Sequence, residues 1–319
     1  MPHPSIRELR THLETYIVGQ SELIDRLLIS LLTGGHLLVE GLPGLAKTTA
    51  IKTLADGVHA RFKRIQFTPD LLPSDLIGAE IYHPETHQFT FEEGPIFNEI
   101  VLADEINRAP AKVQSALLEA MQEKQVTVSG HSHRLPEVFM VMATQNPLDQ
   151  SGTYPLPEAQ LDRFLMHVAL DYPDLDQELE VLRRARARNR GEVPPQTPAA
   201  LDIDAVLTAR QAVTQIHIAP ELERWIIELV AATRNPGAHL PELEGMVLVG
   251  ASPRGALALS QAASAAAWLA ERDYVSPDDL IRLAPDALRH RIILSPAAFM
   301  AKVDRDDIIG KLLEAIPTP

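Results

Sequence analysis

Apolar residues fall into two rhythms along this chain, and their alternation sets the expected architecture. Residues 21–32 place apolar side chains at helical spacing and run into Gly34 and Gly35, a helix-stop signal. Residues 36–40 (HLLVE) form a short apolar run, which reads as a strand buried on both faces. A glycine-rich turn over 41–46 follows, and 47–57 reads as a helix, so strand, loop and helix form one βα unit. Residues 61–67 alternate as a strand. The runs 99–103 (EIVLA) and 138–144 (VFMVMAT) read as further buried strands, with the strongly helical 111–124 between them and one more strand at 165–170. Continuous apolar strands separated by helices predict a parallel sheet covered on both faces.

Two segments interrupt this rhythm. Residues 81–91 (IYHPETHQFTF) and 125–135 (QVTVSGHSHRL) alternate around polar centres and read as hairpins inserted at about 78–95 and 125–136. The pattern changes near residue 175. Residues 174–190 read as a helix, acidic first and basic last, as the helix dipole favours. Residues 191–200 (GEVPPQTPAA) carry three prolines and form the expected linker. Helical patterns then dominate: 202–215, 220–234, 253–272, 276–289 and 304–315. The expected division is an α/β core over 1–190 and a smaller all-α domain over 191–319, with the boundary on either side of the 174–190 helix.

Composition narrows the function classes. At 319 residues the chain is long enough for about two domains. Aromatic residues are only 5%, so Ala, Leu, Ile and Val must fill the cores, with Trp225 and Trp268 among them. Lys plus Arg is 29 and Asp plus Glu is 43, so the net charge is −14, a poor balance for gripping nucleic-acid phosphates. The basic cluster at Arg183, Arg184, Arg186, Arg188 and Arg190 then reads as a solvated helix end rather than a nucleic-acid face. With no cysteine, disulfides, thiolate zinc sites and cysteine nucleophiles are excluded, and a reducing compartment fits. Residues 1–15 lack the apolar core of a signal peptide, and no apolar run approaches the ~20 residues that span a bilayer. A cytoplasmic chain without a membrane span is expected. The pairs His83/His87 and His131/His133 sit at hairpin tips without a third ligand and read as solvated turns.

The chemistry concentrates at the ends of the predicted strands. Gly41, Leu42, Pro43, Gly44, Leu45, Ala46, Lys47 and Thr48 fit a phosphate-binding loop, with Ala46 where the general pattern has its second glycine. Loop N–H groups and the following helix N-terminus make a positive cradle for phosphates. Lys47 would reach the β- and γ-phosphates and the Thr48 hydroxyl would ligate Mg²⁺. Asp104 and Glu105 close the apolar run 100–103, at the carboxyl end of a parallel strand, and sit beside the phosphate loop if the two strands neighbour. Asp104 would hold Mg²⁺ through water, and Glu105 would polarise the attacking water. Asn146, after the strand 138–144, is placed to position that water or meet the γ-phosphate. Arg163 is uninformative alone.

Together these residues resemble the AAA+ ATPases, and specifically the MoxR family of the helix-2-insert clade. The resemblance rests on 17–20 (IVGQ), the phosphate loop with Ala before Lys, 103–110 (ADEINRAP), 114–123 (QSALLEAMQE), 143–147 (ATQNP) and 156–164 (LPEAQLDRF). It implies a five-stranded αβα core followed by a helical lid. It also implies that Val18 and Gly19 line the adenine pocket, that Gly41, Pro43, Gly44, Leu45, Ala46, Lys47, Thr48 and Thr49 hold the nucleotide, and that Asn146 is sensor 1. Arg163 then resembles the arginine finger offered to the next subunit. Arg254 resembles sensor 2, and locally Ser252 as N-cap and Pro253 at the first helical position agree with a helix start there. The function implied is ATP hydrolysis with Mg²⁺ in a homo-oligomeric, hexameric ring. Its role would be chaperone-like: assembling, activating or metallating other protein complexes, with a separate von Willebrand factor A-domain protein as partner. A nucleic-acid motor of helicase or restriction type is the alternative from the same clade, and the acidic balance opposes it.

Overall fold

The computed structural model describes residues 4–42, 44–147, 153–190 and 201–319. They group into two units, one within His3–Leu156 plus Ala169–Thr208 and the other within Pro157–Val168 plus Ala209–Pro319. Pro43 and the expected linker 191–200 lie outside the described residues.

In chain order the first stretch comprises α1 (Pro4–Tyr16), α2 (Ser21–Thr33), β1 (Leu37–Gly41), α3 (Lys47–Gly57), β2 (Phe62–Gln66) and α4 (Pro73–Ile77). The hairpin β3 (Gly78–His83) and β4 (Gln88–Glu93) follows, then β5 (Ile100–Asp104) and α5 (Ala111–Glu123). A second hairpin, β6 (Gln125–Val128) and β7 (His131–Arg134), precedes β8 (Met140–Gln145), α6 (Glu158–Leu161), β9 (Met166–Leu170) and α7 (Leu175–Asn189). The remainder is α8 (Ile203–Val213), α9 (Pro220–Ala232), β10 (Val247–Val249), α10 (Pro253–Leu269), α11 (Pro277–Leu288), β11 (Ile293–Leu294), α12 (Pro296–Ala301) and α13 (Arg305–Ala315).

The core sheet has five strands in the order β2-β5-β8-β1-β9. The pairs β2–β5, β5–β8 and β1–β8 are parallel, with Ile100 opposite both Phe62 and Met140. Leu37, Leu38, Val39, Ile100 to Ala103 and Met140 to Ala143 are fully buried, as their continuous apolar runs require of strands covered on both faces. The two edge strands alternate: on β2 Ile65 is buried while Arg64 and Gln66 are exposed, and on β9 Met166, Val168 and Leu170 are buried while Ala169 is exposed. Gly34 ends α2 in the left-handed region (φ 69°), with its N–H donating to the Ser30 carbonyl. His36, just before β1, accepts the Val141 N–H at its Nδ1 (3.0 Å) and donates from Nε2 to the Met121 carbonyl (3.2 Å). A buried imidazole thus ties the start of β1 to β8 and to the end of α5.

Both interrupting segments are hairpins. β3 pairs β4 from Gly78↔Glu93 to His83↔Gln88, within the expected insert at about 78–95, and β6 pairs β7 from Gln125↔Arg134 to Val128↔His131. Ser129 and Gly130 both have positive φ (49° and 86°), which a two-residue turn between right-twisted strands demands. The two hairpins meet where Phe91 stacks on His133, ring centroids 3.8 Å apart.

The second unit is mainly helical. α10 starts as its sequence predicts, the Ser252 side chain accepting the Arg254 N–H. Trp225 on α9 and Trp268 on α10 are buried. One feature departs from an all-helical unit: β10 and β11 pair as a short antiparallel ribbon, extended by the Ser295 N–H donating to the Met246 carbonyl (2.9 Å). Two strands this short carry little periodicity.

Candidate functional site

A cleft of about 420 Å³ opens at the carboxyl ends of the central strands, walled by residues 44–49, Arg64, Asp104, Glu105 and Thr144, Gln145 and Asn146. The turn after β1 forms its floor. Gly44 takes φ 91° with open space where a Cβ would stand, and Ala46, the N-cap of α3, adopts a left-handed conformation (φ 56°). A non-glycine residue there costs energy, and such strain clusters at functional sites. The first turn of α3, whose N–H groups have no intrahelical partner, lines the cleft, with no acidic side chain in that turn to oppose an anion. Gly41 is closely approached: a Cβ there would meet the Leu170 Cβ at 3.0 Å, so Leu170 would have to give way. Lys47 donates from Nζ to the Gly41 carbonyl at 2.6 Å. Burial pushes its pKa down, while Asp104, Glu105 and Glu40 pull it back, and the net position is below the ordinary lysine value.

The opposite wall is a network of carboxylates. Thr144, buried on β8, donates from Oγ1 to Asp104 Oδ1 (2.6 Å) and accepts the Glu105 N–H (2.9 Å). Asp104 Oδ2 receives both Nε (3.0 Å) and a terminal nitrogen (2.6 Å) of Arg64. Glu105 sits in the left-handed region (φ 57°), turning the chain sharply after β5. Its Oε2 accepts the Gln66 amide (2.6 Å) and pairs with Arg108 (3.2 Å). The Thr48 hydroxyl and the Asp104 carboxylate are hard oxygen donors in one cleft, the donor set that Mg²⁺ takes, and the loop N–H groups with Lys47 suit a polyphosphate.

The structure thus brings together Gly44, Leu45, Ala46, Lys47, Thr48, Thr49, Asp104, Glu105 and Asn146. Val18 and Gly19 are not among the residues lining this cleft; Gly19 (φ 73°) lies against Gln177 of α7, and Gln20 donates to the Asp171 carbonyl. Arg163 and Arg254 belong to the other unit. There Asp162 accepts the Ser252 hydroxyl (2.9 Å) and the Arg291 Nε (2.8 Å). Arg291, 7% exposed, also donates to the Phe164 carbonyl (2.7 Å). The segment bearing Arg163 and the helix start bearing Arg254 are therefore tied through one carboxylate. Sequence reasoning missed Arg64, Gln66 and Thr144. Their signals were the two polar residues on one face of an edge strand and a hydroxyl beside the strand that neighbours Asp104, readable only once strand order is known.

The AAA family, described as the ATPase family associated with various cellular activities, matches residues 36–166, and the AAA lid domain family matches 244–312. The chain is 43% identical to chaperone MoxR1 of Mycobacterium tuberculosis over 95% of its own length and 79% of that protein. It is 31% identical to protein MoxR of Methylorubrum extorquens, covering 95% and 92% of the two chains. A crystal structure from Cytophaga hutchinsonii superposes with a TM-score of 0.91 at 47% identity, over 99% of this chain and 95% of that one.

Proposed function

Because this chain belongs to the MoxR family of AAA+ ATPases, we propose that the cleft after β1 is its site of ATP hydrolysis and that the working unit is a hexameric ring acting on protein clients. The reading is carried by one observation: the loop 44–49, Asp104, Glu105 and Asn146 wall a single cleft.

In this reading the N–H groups of residues 44–49 and the Lys47 ammonium hold the β- and γ-phosphates, with Gly41 at the start of the turn, and Val18 and Gly19 flank the base. Thr48 and Asp104 hold Mg²⁺, which neutralises charge on the phosphate oxygens when bound. Glu105, anchored through its own N–H to Thr144, draws a proton from the attacking water, and Asn146 orients that water. Arg163 stabilises γ-phosphoryl charge in a neighbouring subunit, and Arg254 reads the nucleotide as sensor 2. A contact offered from one copy to the next is heterologous and closes as a ring. The names of relatives, chaperone MoxR1 among them, support protein clients. Assembly, activation or metal insertion of other complexes, with a separate von Willebrand factor A-domain protein as partner, is the role we assign, in the cytoplasm. Among the described residues no helix is long and apolar enough to cross a membrane.

Glu105→Gln tests the site. It keeps the shape and the acceptor oxygen but removes the base. ATP affinity should stay within about threefold of wild type while turnover falls by roughly 10²-fold or more. The same variant, loaded with ATP, should retain clients in affinity capture that wild type releases. Undiminished turnover would refute the role of Glu105 and with it the placement of the site.

A further inference from the structure

The residue facing Asp104 from the edge strand has no part in the scheme above. Arg64, on β2, brings two N–H donors onto a single oxygen, Asp104 Oδ2, at 3.0 and 2.6 Å. The other oxygen, Oδ1, accepts the Thr144 hydroxyl at 2.6 Å. Both oxygens of the carboxylate are thus engaged by strong donors, one of them cationic. Arg64 also donates to Gln66 Oε1 at 2.9 Å, so its guanidinium is oriented from its own strand as well. Its side chain is 50% exposed against 15% for that of Asp104. The arginine therefore has room to swing into solvent, while the carboxylate is fixed.

We propose that Arg64 competes with the divalent cation for Asp104, so that this arginine sets how tightly the cleft holds its metal. The inference rests on the reading of Asp104 as a metal-holding residue. A guanidinium on Oδ2 neutralises the charge that would attract a cation, and a divalent ion brought to the same carboxylate meets Arg64 as a like charge. Metal binding at Asp104 then carries the cost of breaking two charge-assisted hydrogen bonds, which the exposed side chain recovers only in part from water. Arg64 is a positioning residue here: it acts on the metal through Asp104. A role confined to stapling β2 to β5 would instead make Arg64 relevant to stability alone.

The test measures Mn²⁺ binding by the electron paramagnetic resonance of free Mn²⁺, using the full chain saturated with a non-hydrolysable ATP analogue. Arg64→Gln should bind Mn²⁺ at least about fivefold more tightly than wild type, since a like charge a few ångström from a divalent ion repels it even at the dielectric constant of water. Arg64→Lys keeps the charge and should stay within about twofold of wild type. Arg64→Met serves in place of Arg64→Gln if the latter does not fold, as judged by its thermal transition. Unchanged or weaker Mn²⁺ binding in the neutral variants would overturn the proposal. Asp104→Asn separates the two claims: if it binds nucleotide and Mn²⁺ as wild type does, the metal reading of Asp104 is itself wrong. If Asp104→Asn loses Mn²⁺ while Arg64→Gln gains nothing, the metal reading stands and the competition does not.

Discussion

Lys47 is a lysine held short of its ordinary basicity by burial yet facing two carboxylates across the cleft. That position suits a residue whose charge is completed by an anionic ligand. Lys47→Ala should lower ATP affinity at least tenfold, about 1.4 kcal/mol or more, because a charge-assisted contact is lost; calorimetric titration reads this directly, and near-normal affinity would count against the assignment. At this scale the sequence was informative wherever chemistry sits at consecutive positions. Asp104 and Glu105 end an apolar run, and Lys47 and Thr48 follow a glycine-rich turn, so their spacing marks them as candidates, although β5 and β1 are not the neighbours expected: β8 lies between them. Arg64 and Thr144 were not legible, because what matters about them is which strand lies beside β5. That adjacency comes from tertiary packing, β2 on one side and β8 on the other.

Among the elements, the best-read were those with both a period and a punctuation mark. α3 has the bounds expected, and α10 begins at the Ser252–Pro253 signal. The buried strands were read to within one or two residues, because burial on both faces leaves no polar position to blur them. α1 passed unread, although Ile6, Leu9 and Leu13 are buried at helical spacing; its stretch is short and polar enough to suggest a tail. The ribbon of β10 and β11 is too brief to show alternation. The turn after α11 carries a testable cost. His290 is buried, donates from Nε2 to the Phe164 carbonyl (3.1 Å), and neighbours Arg291, His167 and Arg289. Burial first, and then the electrostatic effect of neighbours led by the Arg291 guanidinium, hold its pKa well below the usual histidine value. The folded state therefore binds fewer protons than the unfolded state once the pH drops below about 6.5. Stability should fall as pH falls from there towards the folded pKa, by up to about 1.4 kcal/mol per pH unit from this one group. His290→Gln, whose amide can still reach the Phe164 carbonyl, should flatten that slope in denaturant titrations between pH 6.5 and pH 5; an unaltered slope would assign the acid sensitivity elsewhere.

For the whole molecule, the cleft and the two arginines form different parts of the account. The cleft lies within one unit, whereas Arg163 and Arg254 lie in the other, tied together through Asp162. Sequence strings named all of these residues, yet the division of labour between subunits is a property of the assembly. If Arg163 serves a neighbour, binding and hydrolysis must separate. Arg163→Ala should bind ATP normally and lose turnover by roughly 10³-fold, as expected of an arginine finger. Lys47→Ala has the opposite defect, a damaged phosphate loop in a chain whose arginine is intact. The most direct measurement is therefore the ATPase rate of the two variants mixed. The account predicts that activity absent from each alone is partly restored, as Lys47→Ala subunits present Arg163 to intact clefts on their Arg163→Ala neighbours. Mixtures that demonstrably co-assemble yet stay inactive would contradict it, placing the function of Arg163 within its own subunit.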